Sequence, residues 1–400
     1  MKVVQINATC GIGSTGKICV GISKVLTAEN IENYILCSRT NGYPLGIPCA
    51  GMQYTKIQAL KARILGNYGF NSKGATQRLI AHLEHIQPDM VHLHNIHGHD
   101  CDLEMLFSYF RRKKTKLLWT FHDCWSFTAY CPHFTMAKCT KWKTQCSQCI
   151  QHKGYSWFFD RSRELFEKKK TLFTGLDLTA IAPSCWLGDL VKQSFLKEYP
   201  VYVIRNGIDL GVFKPTPSGF RTRYALEDKK IVLGVSFGWD ERKGLDVFME
   251  LSKRLPTDYR IVLVGTDAAT DKLLPENIIS IHRTQNQQEL AEIYSAADVF
   301  ANPTREEVLG LVNIEALACG TPGVTFRSGG SPECYDDSCG VTVPCDDVDA
   351  MEKEILRICT DKPYPEAACL KKAHEFDQNE RFKEYLELYE RVNAAGNERD

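Results

Sequence analysis

Four hundred residues exceed one domain of ordinary size and fit two. A hydrophobic share of 44% beside a charged share of 24% marks a globular chain with ample apolar residue for its cores. No run approaches the ~18 apolar residues of a membrane span, Met1–Asn7 turns polar too soon for a secretory leader, and a net charge of zero argues against a nucleic-acid partner.

That zero conceals an asymmetry. Residues 1–205 hold 26 Lys and Arg against 14 Asp and Glu, a net +12, and residues 206–400 hold 23 against 35, a net −12. The halves either attract each other, an effect largely screened beyond a Debye length, or the basic half meets an anionic acceptor or membrane surface. The expectation is a cytoplasmic protein, with peripheral attachment at the inner face of the plasma membrane as the sharper form.

In chain order, Lys2–Asn7 reads as a buried strand, Ala8–Lys17 as a glycine-rich turn and Ile18–Leu26 as a helix. Gly11, Gly13 and Gly16 make G-x-G-x-x-G, but the next strand ends in Cys37-Ser38-Arg39 without the acidic residue of a dinucleotide site. Gly11–Lys17 makes G-x4-G-K, yet Ile18 replaces the hydroxyl that would hold Mg²⁺. Ile57–Leu65 and Thr76–Ile86 are helical in pattern. The strand Asp89–His94 then runs into a loop that gives four histidines in eight residues. Alternating His92 and His94 share a strand face without converging on an ion, so His94, Asn95 and His97 are read as contacts to an acceptor. A further strand, Leu117–Phe121, ends in His122-Asp123.

Residues 124–149 form an aromatic, basic loop containing Cys131-x7-Cys139-x6-Cys146-x2-Cys149. A reducing compartment disfavours disulfides, and four thiolates with one C-x-x-C half suit a structural zinc, though the other spacings are loose. Ser156–Phe173, with Lys168, Lys169 and Lys170, reads as an amphipathic basic-aromatic helix suited to a membrane surface.

In the second half Ile231–Phe237 is a strand followed by Trp239–Gly244, and Glu289–Ala297 is a helix. The stretch Thr304–Pro322 organises this half: an apolar strand before it, a loop, a helix over Val312–Cys319 stopped by Gly320 and Pro322, then the strand Gly323–Phe326. The loop lies at a strand's carboxyl end, where open parallel sheets bind ligands. The amides of Gly310, Leu311 and Val312 open the helix, a ready site for a diphosphate. Glu315 on the helix can accept from both hydroxyls of a ribose, and Glu307 in the loop from a sugar hydroxyl.

The E-x7-E pair Glu307/Glu315, overlapping G-L-V-N-I-E-A-L-A-C-G-T-P, resembles the signature of the retaining glycosyltransferases of family 4. Asn206-Gly207-Ile208-Asp209 with Phe213, Lys243-Gly244 and Gly329–Glu333 match further motifs of that family. The resemblance implies an α/β chain of the GT-B fold, two Rossmann-like doubly wound domains facing across a cleft. The acceptor domain would span 1–205 and the nucleotide-sugar domain 206–378, with a helix in 379–400 crossing back to the first. It implies that Gly13 lies in a glycine loop facing that cleft, that His122 in T-F-H-D contacts the donor sugar, and that Lys243 holds the diphosphate.

One departure stands out. Phe237-Gly238-Trp239 occupies the place of the family's G-R-L, so Arg242 is the residue left to supply the missing guanidinium. The implied reaction moves a sugar from a UDP or GDP sugar to a glycan or polyprenyl-diphosphate-linked acceptor, with retention and with no cofactor required for the chemistry. The cysteine loop resembles a branch acting in bacterial exopolysaccharide assembly of the colanic-acid type. A nucleotide-sugar epimerase of the same fold, an NAD(P)-dependent oxidoreductase using the glycine loop, and a non-catalytic nucleotide-sugar binder are the alternatives.

Overall fold

The apolar runs of the first half become parallel strands: β1 (Lys2–Ile6), β2 (Glu32–Cys37), β3 (Gly46–Pro48), β4 (Met90–Leu93), β5 (Lys116–Thr120), β6 (Leu178–Ala182) and β7 (Val201–Val203). They pair in the order β3-β2-β1-β4-β5-β6-β7, every pair parallel. Helices cover both faces of such a sheet, which is why these strands read as continuous apolar runs rather than alternating ones. All four residues of β4 are buried, His92 among them.

In this computed structural model, which describes the backbone of residues 1–397 and side chains as far as residue 394, the chain divides into two units. The first is Met1–Arg205 together with the residues from Arg381 onward, and the second is Asn206–Glu380. The helix Gln378–Asn397 sets Phe382, Tyr385, Leu388 and Tyr389 into one core cluster with Val3, Ile18, Ile22 and Met90.

The second unit repeats the plan with β8 (Lys230–Val235), β9 (Tyr259–Val264), β10 (Ile278–Ile281), β11 (Val299–Asn302), β12 (Gly323–Phe326) and β13 (Gly340–Val343). Its spatial order is β10-β9-β8-β11-β12-β13, again all parallel. Each sheet starts in its middle, grows to one side and restarts on the other. The reversal leaves a crevice at the carboxyl ends of the two strands beside it, the usual ligand position in doubly wound sheets. Those strands are β1 and β4 in the first unit, β8 and β11 in the second.

Several expected helices have different limits, Met52–Leu65 and Lys73–Ile86 each starting earlier than expected, and two show the reason. The first begins at Gly13, not Ile18, because Thr9 Oγ1 donates to Ile12 O and Gly11 N to Gly16 O, closing the turn early. The second is helical only over Ser162–Phe173. Asp160 accepts from the amides of Cys149 and Ser162, which breaks the segment before the helix starts. Lys169 is fully buried there. Its Nζ donates to Trp125 O and Thr128 O and sits 3.3 Å from the centre of the Trp125 ring, so it is withdrawn from any membrane surface. Among the described residues no helix is long and apolar enough to cross a membrane.

Candidate active site

In the second unit the crevice is built from the loops that follow β8 and β11. The β11 loop is zipped to the turn Glu241–Lys243: Arg305 N donates to Arg242 O at 2.9 Å, and the Thr304 hydroxyl lies 3.5 Å from the same oxygen. Arg305 itself is spent on structure, with a bidentate bond to Asp246 (2.8 Å each) and an ion pair to Asp346 at 2.6 Å. This clamp brings Lys243 to Glu307, Nζ to Oε2 2.7 Å, with both side chains about four-fifths buried at 21% and 23% exposure. Two residues expected in the site thus meet as one ion pair.

Helix Leu311–Ala318 begins just beyond. Gly310 precedes it at φ +86°, and a Cβ there would lie 2.7 Å from Asn313 Nδ2 and 3.3 Å from Glu307 Cγ. Gly329, at φ +55°, packs its backbone so closely that a Cβ would sit 1.7 Å from Glu307 O. A side chain at Gly329 would displace the Glu307 backbone, and one at Gly310 would crowd Asn313 and the Glu307 side chain. No side chain caps the helix, leaving the first-turn amides of Leu311 and Val312 to face whatever lies at its start.

Two more donors stand nearby. Asn313 Nδ2 and Ser331 Oγ are fully buried and lack a hydrogen-bond partner among the described residues. Asn313 Oδ1 is already taken, by Asn302 Nδ2 at 2.8 Å and the Tyr335 hydroxyl at 3.3 Å, so the amide group is held with its NH₂ unspent. Buried donors without acceptors are rare and costly, roughly 1–3 kcal/mol each. Together with an open helix end they fit an anion with several acceptor oxygens. Glu315, one helical turn in, receives the Tyr294 hydroxyl at 3.0 Å, which orients the carboxylate. Burial, and then Glu315, raise Tyr294 well above the ordinary phenol range, so it remains a donor.

Arg242 is a third exposed, with Nε 3.9 Å from Asp240 Oδ2. It lies in the turn with Lys243, but no tight partner holds it among the contacts described.

The first unit's crevice is of another kind. Gln5 on β1 is fully buried, and its Nε2 donates to Cys19 O at 3.0 Å. Its Oε1 must therefore accept, from His94 Nε2 at 3.1 Å. That leaves His94 Nδ1 as an acceptor, for His122 Nε2 at 3.0 Å. The proton positions follow along the row, and His122 ends it with an Nδ1 lone pair. Burial lowers His122 to about 4 and His94 well below its usual value, so both are neutral near pH 7. His94 is 1% exposed with both nitrogens engaged; it positions His122 and is not the exposed acceptor contact expected.

His97 pairs with Asp123, Nε2 to Oδ2 2.9 Å, and receives the Tyr68 hydroxyl on its carbonyl at 2.8 Å. Burial alone would raise Asp123; His97 and the Trp125 amide outweigh it and hold the carboxyl at about 2. Asn95 N donates to Asn7 Oδ1 at 3.1 Å, tying the β4 loop to the β1 loop. Gly13 lies at φ +68° with nothing within 4 Å of a would-be Cβ, so open space adjoins the first turn of its helix.

Cys131, Cys139, Cys146 and Cys149 are all free, and among the described residues no three or more His, Cys, Asp or Glu side chains group to hold a metal. Burial, together with the neighbouring thiols of the set, pushes the Cys131 and Cys146 thiols up to about 12. The loop is packed by aromatic rings, Trp142 on Phe134 at 4.9 Å and on Phe127 at 5.3 Å, and by buried Lys169.

Arg305, Gln5, Asn313, Ser331 and Tyr294 are residues that sequence reasoning missed. Arg305 gave no signal. Gln5 did: an uncharged polar residue in the middle of a buried strand has to be hydrogen-bonded.

Residues 229–361 match the family described as glycosyl transferases group 1. The GDP-mannose-dependent alpha-(1-6)-phosphatidylinositol monomannoside mannosyltransferase of Mycolicibacterium smegmatis is 34% identical over 178 residues, 39% of this chain and 46% of that one. The chain is thus matched over less than half the length of that relative. The structure of sucrose-phosphate synthase from Thermosynechococcus elongatus superposes with a TM-score of 0.72 at 19% identity, covering 99% of this chain and 100% of that one. Anabaena HepE in complex with UDP-glucose gives 0.65 at 14% identity, covering 97% and 99%. The fold is therefore GT-B, an α/β chain with parallel sheets in two domains.

Proposed function

We propose that this protein transfers a sugar from a nucleoside diphosphate sugar to a glycan or polyprenyl-diphosphate-linked acceptor, with retention of configuration, in bacterial surface polysaccharide synthesis. The observation that carries the reading is the start of helix Leu311–Ala318, where uncapped amides, Asn313 Nδ2 and Ser331 Oγ await acceptor oxygens beside the Lys243–Glu307 pair. A diphosphate satisfies all of them. Lys243 then turns from Glu307 to the phosphate and stabilises the charge that develops as it leaves, with Arg242 as a second cation. Glu307, freed from Lys243, accepts from a hydroxyl of the sugar, and Glu315 from the ribose diol. His122 offers its Nδ1 lone pair to a sugar hydroxyl. The relative named for GDP-mannose and the HepE complex with UDP-glucose support a nucleotide-sugar donor without choosing its base.

A panel of UDP and GDP sugars, read out as released nucleoside diphosphate, tests this. One donor should be turned over, and Glu315→Ala should weaken its binding by about 2–3 kcal/mol, the scale of a lost charged hydrogen-bond site. A chain that binds none of the panel in calorimetry refutes the donor reading.

A further inference from the structure

Helix Met52–Leu65 is built inside out. It buries Gln58 and Ala62, and it leaves Met52, Ile57, Leu60, Ile64 and Leu65 between 39% and 54% exposed. Its inner side is anchored by polar contacts: Asn71 Nδ2 donates to Gln58 O, Ala75 N to the Tyr54 hydroxyl, and Arg78 covers the Tyr54 ring. Trp157, Phe158 and Phe159 lie beside its end at 47%, 68% and 50% exposure. Trp157 N donates to Arg63 O at 2.8 Å, the Arg63 guanidinium lies 6.0 Å from the Trp157 ring, and a Cβ on Gly66 would be 3.4 Å from Phe159 Cβ. The two segments therefore make one apolar face. Contiguous exposed apolar surface of this kind marks an interaction site.

The charge beside that face names the partner. Residues 50–66 and 150–159 carry Lys56, Lys61, Arg63 and Lys153 and neither aspartate nor glutamate. The next acid, Asp160, is turned onto the amides of Cys149 and Ser162. Protein interfaces are depleted in lysine at their centres. An apolar stripe with tryptophan and flanking cations is instead the composition of a segment lying in a bilayer interface, apolar side chains inward and ammonium groups at the phosphates. The face also adjoins the histidine crevice: Tyr68, two residues past Gly66, stacks on Tyr155 at 6.1 Å and donates to His97 O.

We infer that helix Met52–Leu65 and the adjoining segment Ile150–Phe159 form a reversible docking face for an anionic lipid bilayer. This keeps the aromatic start of the Ser156–Phe173 segment that the sequence pointed to, exchanges Lys168–Lys170 for helix Met52–Leu65, and holds whether or not the chain transfers sugar.

Sedimentation of the full chain with phosphatidylcholine vesicles, with and without phosphatidylglycerol, tests it. The protein should pellet only with phosphatidylglycerol and be released by salt. Lys56→Gln with Lys61→Gln should weaken binding about fivefold per charge. Leu60→Ser with Phe158→Ser, both at exposed positions and checked for an unchanged melting temperature, should weaken it at least about tenfold. Wild type left in the supernatant at low salt overturns the inference, as does pelleting that neither double variant diminishes. A concentration-dependent dimer abolished by Leu60→Ser with Phe158→Ser would assign the face to a second copy instead. Donor binding measured without lipid is a separate readout, so failure here and failure of the sugar-transfer reading are distinguishable.

Discussion

The two crevices sit at equivalent points of two sheets with the same strand order, yet they are made of opposite materials. In the first unit Gln5, His94 and His122 form a closed row in which each donor has its acceptor and no member carries charge. In the second, Lys243 faces Glu307 across 2.7 Å, and Asn313 and Ser331 keep donors unspent. One arrangement pairs each of its donors; the other leaves donors without acceptors among the described residues. A neutral row defines where a proton sits, whereas a charged, under-satisfied one defines where an anion goes.

The contrast is broken most severely on the charged side. Lys243→Ala should lower kcat by about 10²-fold or more, since it removes charge stabilisation at the leaving group, and steady-state kinetics with the identified donor would show it. A near-normal rate would mean Lys243 serves only to hold Glu307. Next in size, Gly310→Ala forces a Cβ against Asn313 Nδ2 at a left-handed φ; donor affinity should fall by about 1–3 kcal/mol in calorimetry, with the fold intact by circular dichroism.

On the neutral side, Gln5→Leu leaves the His94 Nε2 proton without an acceptor. Stability should drop by about 1–3 kcal/mol in denaturant titration, and affinity for the free nucleoside diphosphate, which has no sugar for His122 to meet, should be spared. Loss of that affinity in Gln5→Leu would undo the separation of roles. A gentler probe is pH. Burial holds His92 at about 3 and His99 and His122 at about 4, below the 6.5 of an unfolded histidine. The unfolded chain therefore binds more protons between those values. Stability from these residues is full above about pH 6.5 and is lost as pH falls toward 4, so the melting temperature should decline from pH 7 to pH 5. A flat profile over that range would contradict neutral burial of the three.

Much of the second unit was legible because its chemistry is local. Glu307, Gly310 and Glu315 lie within nine residues, and the strand-loop-helix that carries them follows from apolar pattern and stop signals. The Lys243–Glu307 contact spans 64 positions and could be expected only through a resemblance. In the first unit the decisive links are longer still, 89 positions from Gln5 to His94, and no spacing rule reaches them. Lys169 misled for a plain reason. Composition suggested surface, while tertiary packing turned the lysine inward onto two carbonyls.

Tyr389 carries a consequence for synthesis. Its hydroxyl bonds His92 Nδ1 at 2.6 Å, and its helix supplies the last wall of the core around Val3 and Met90. The unit begun by 1–205 is therefore completed by a segment made after 206–380, while 206–380 is contiguous and can close beforehand. Domains ordinarily finish in the order they are made; this connectivity predicts the reverse order. Nascent chains stalled after Glu380 and outside the exit tunnel should resist protease over 206–380 and be cut within 1–205, and equal protection of both segments would show that the first needs no late partner.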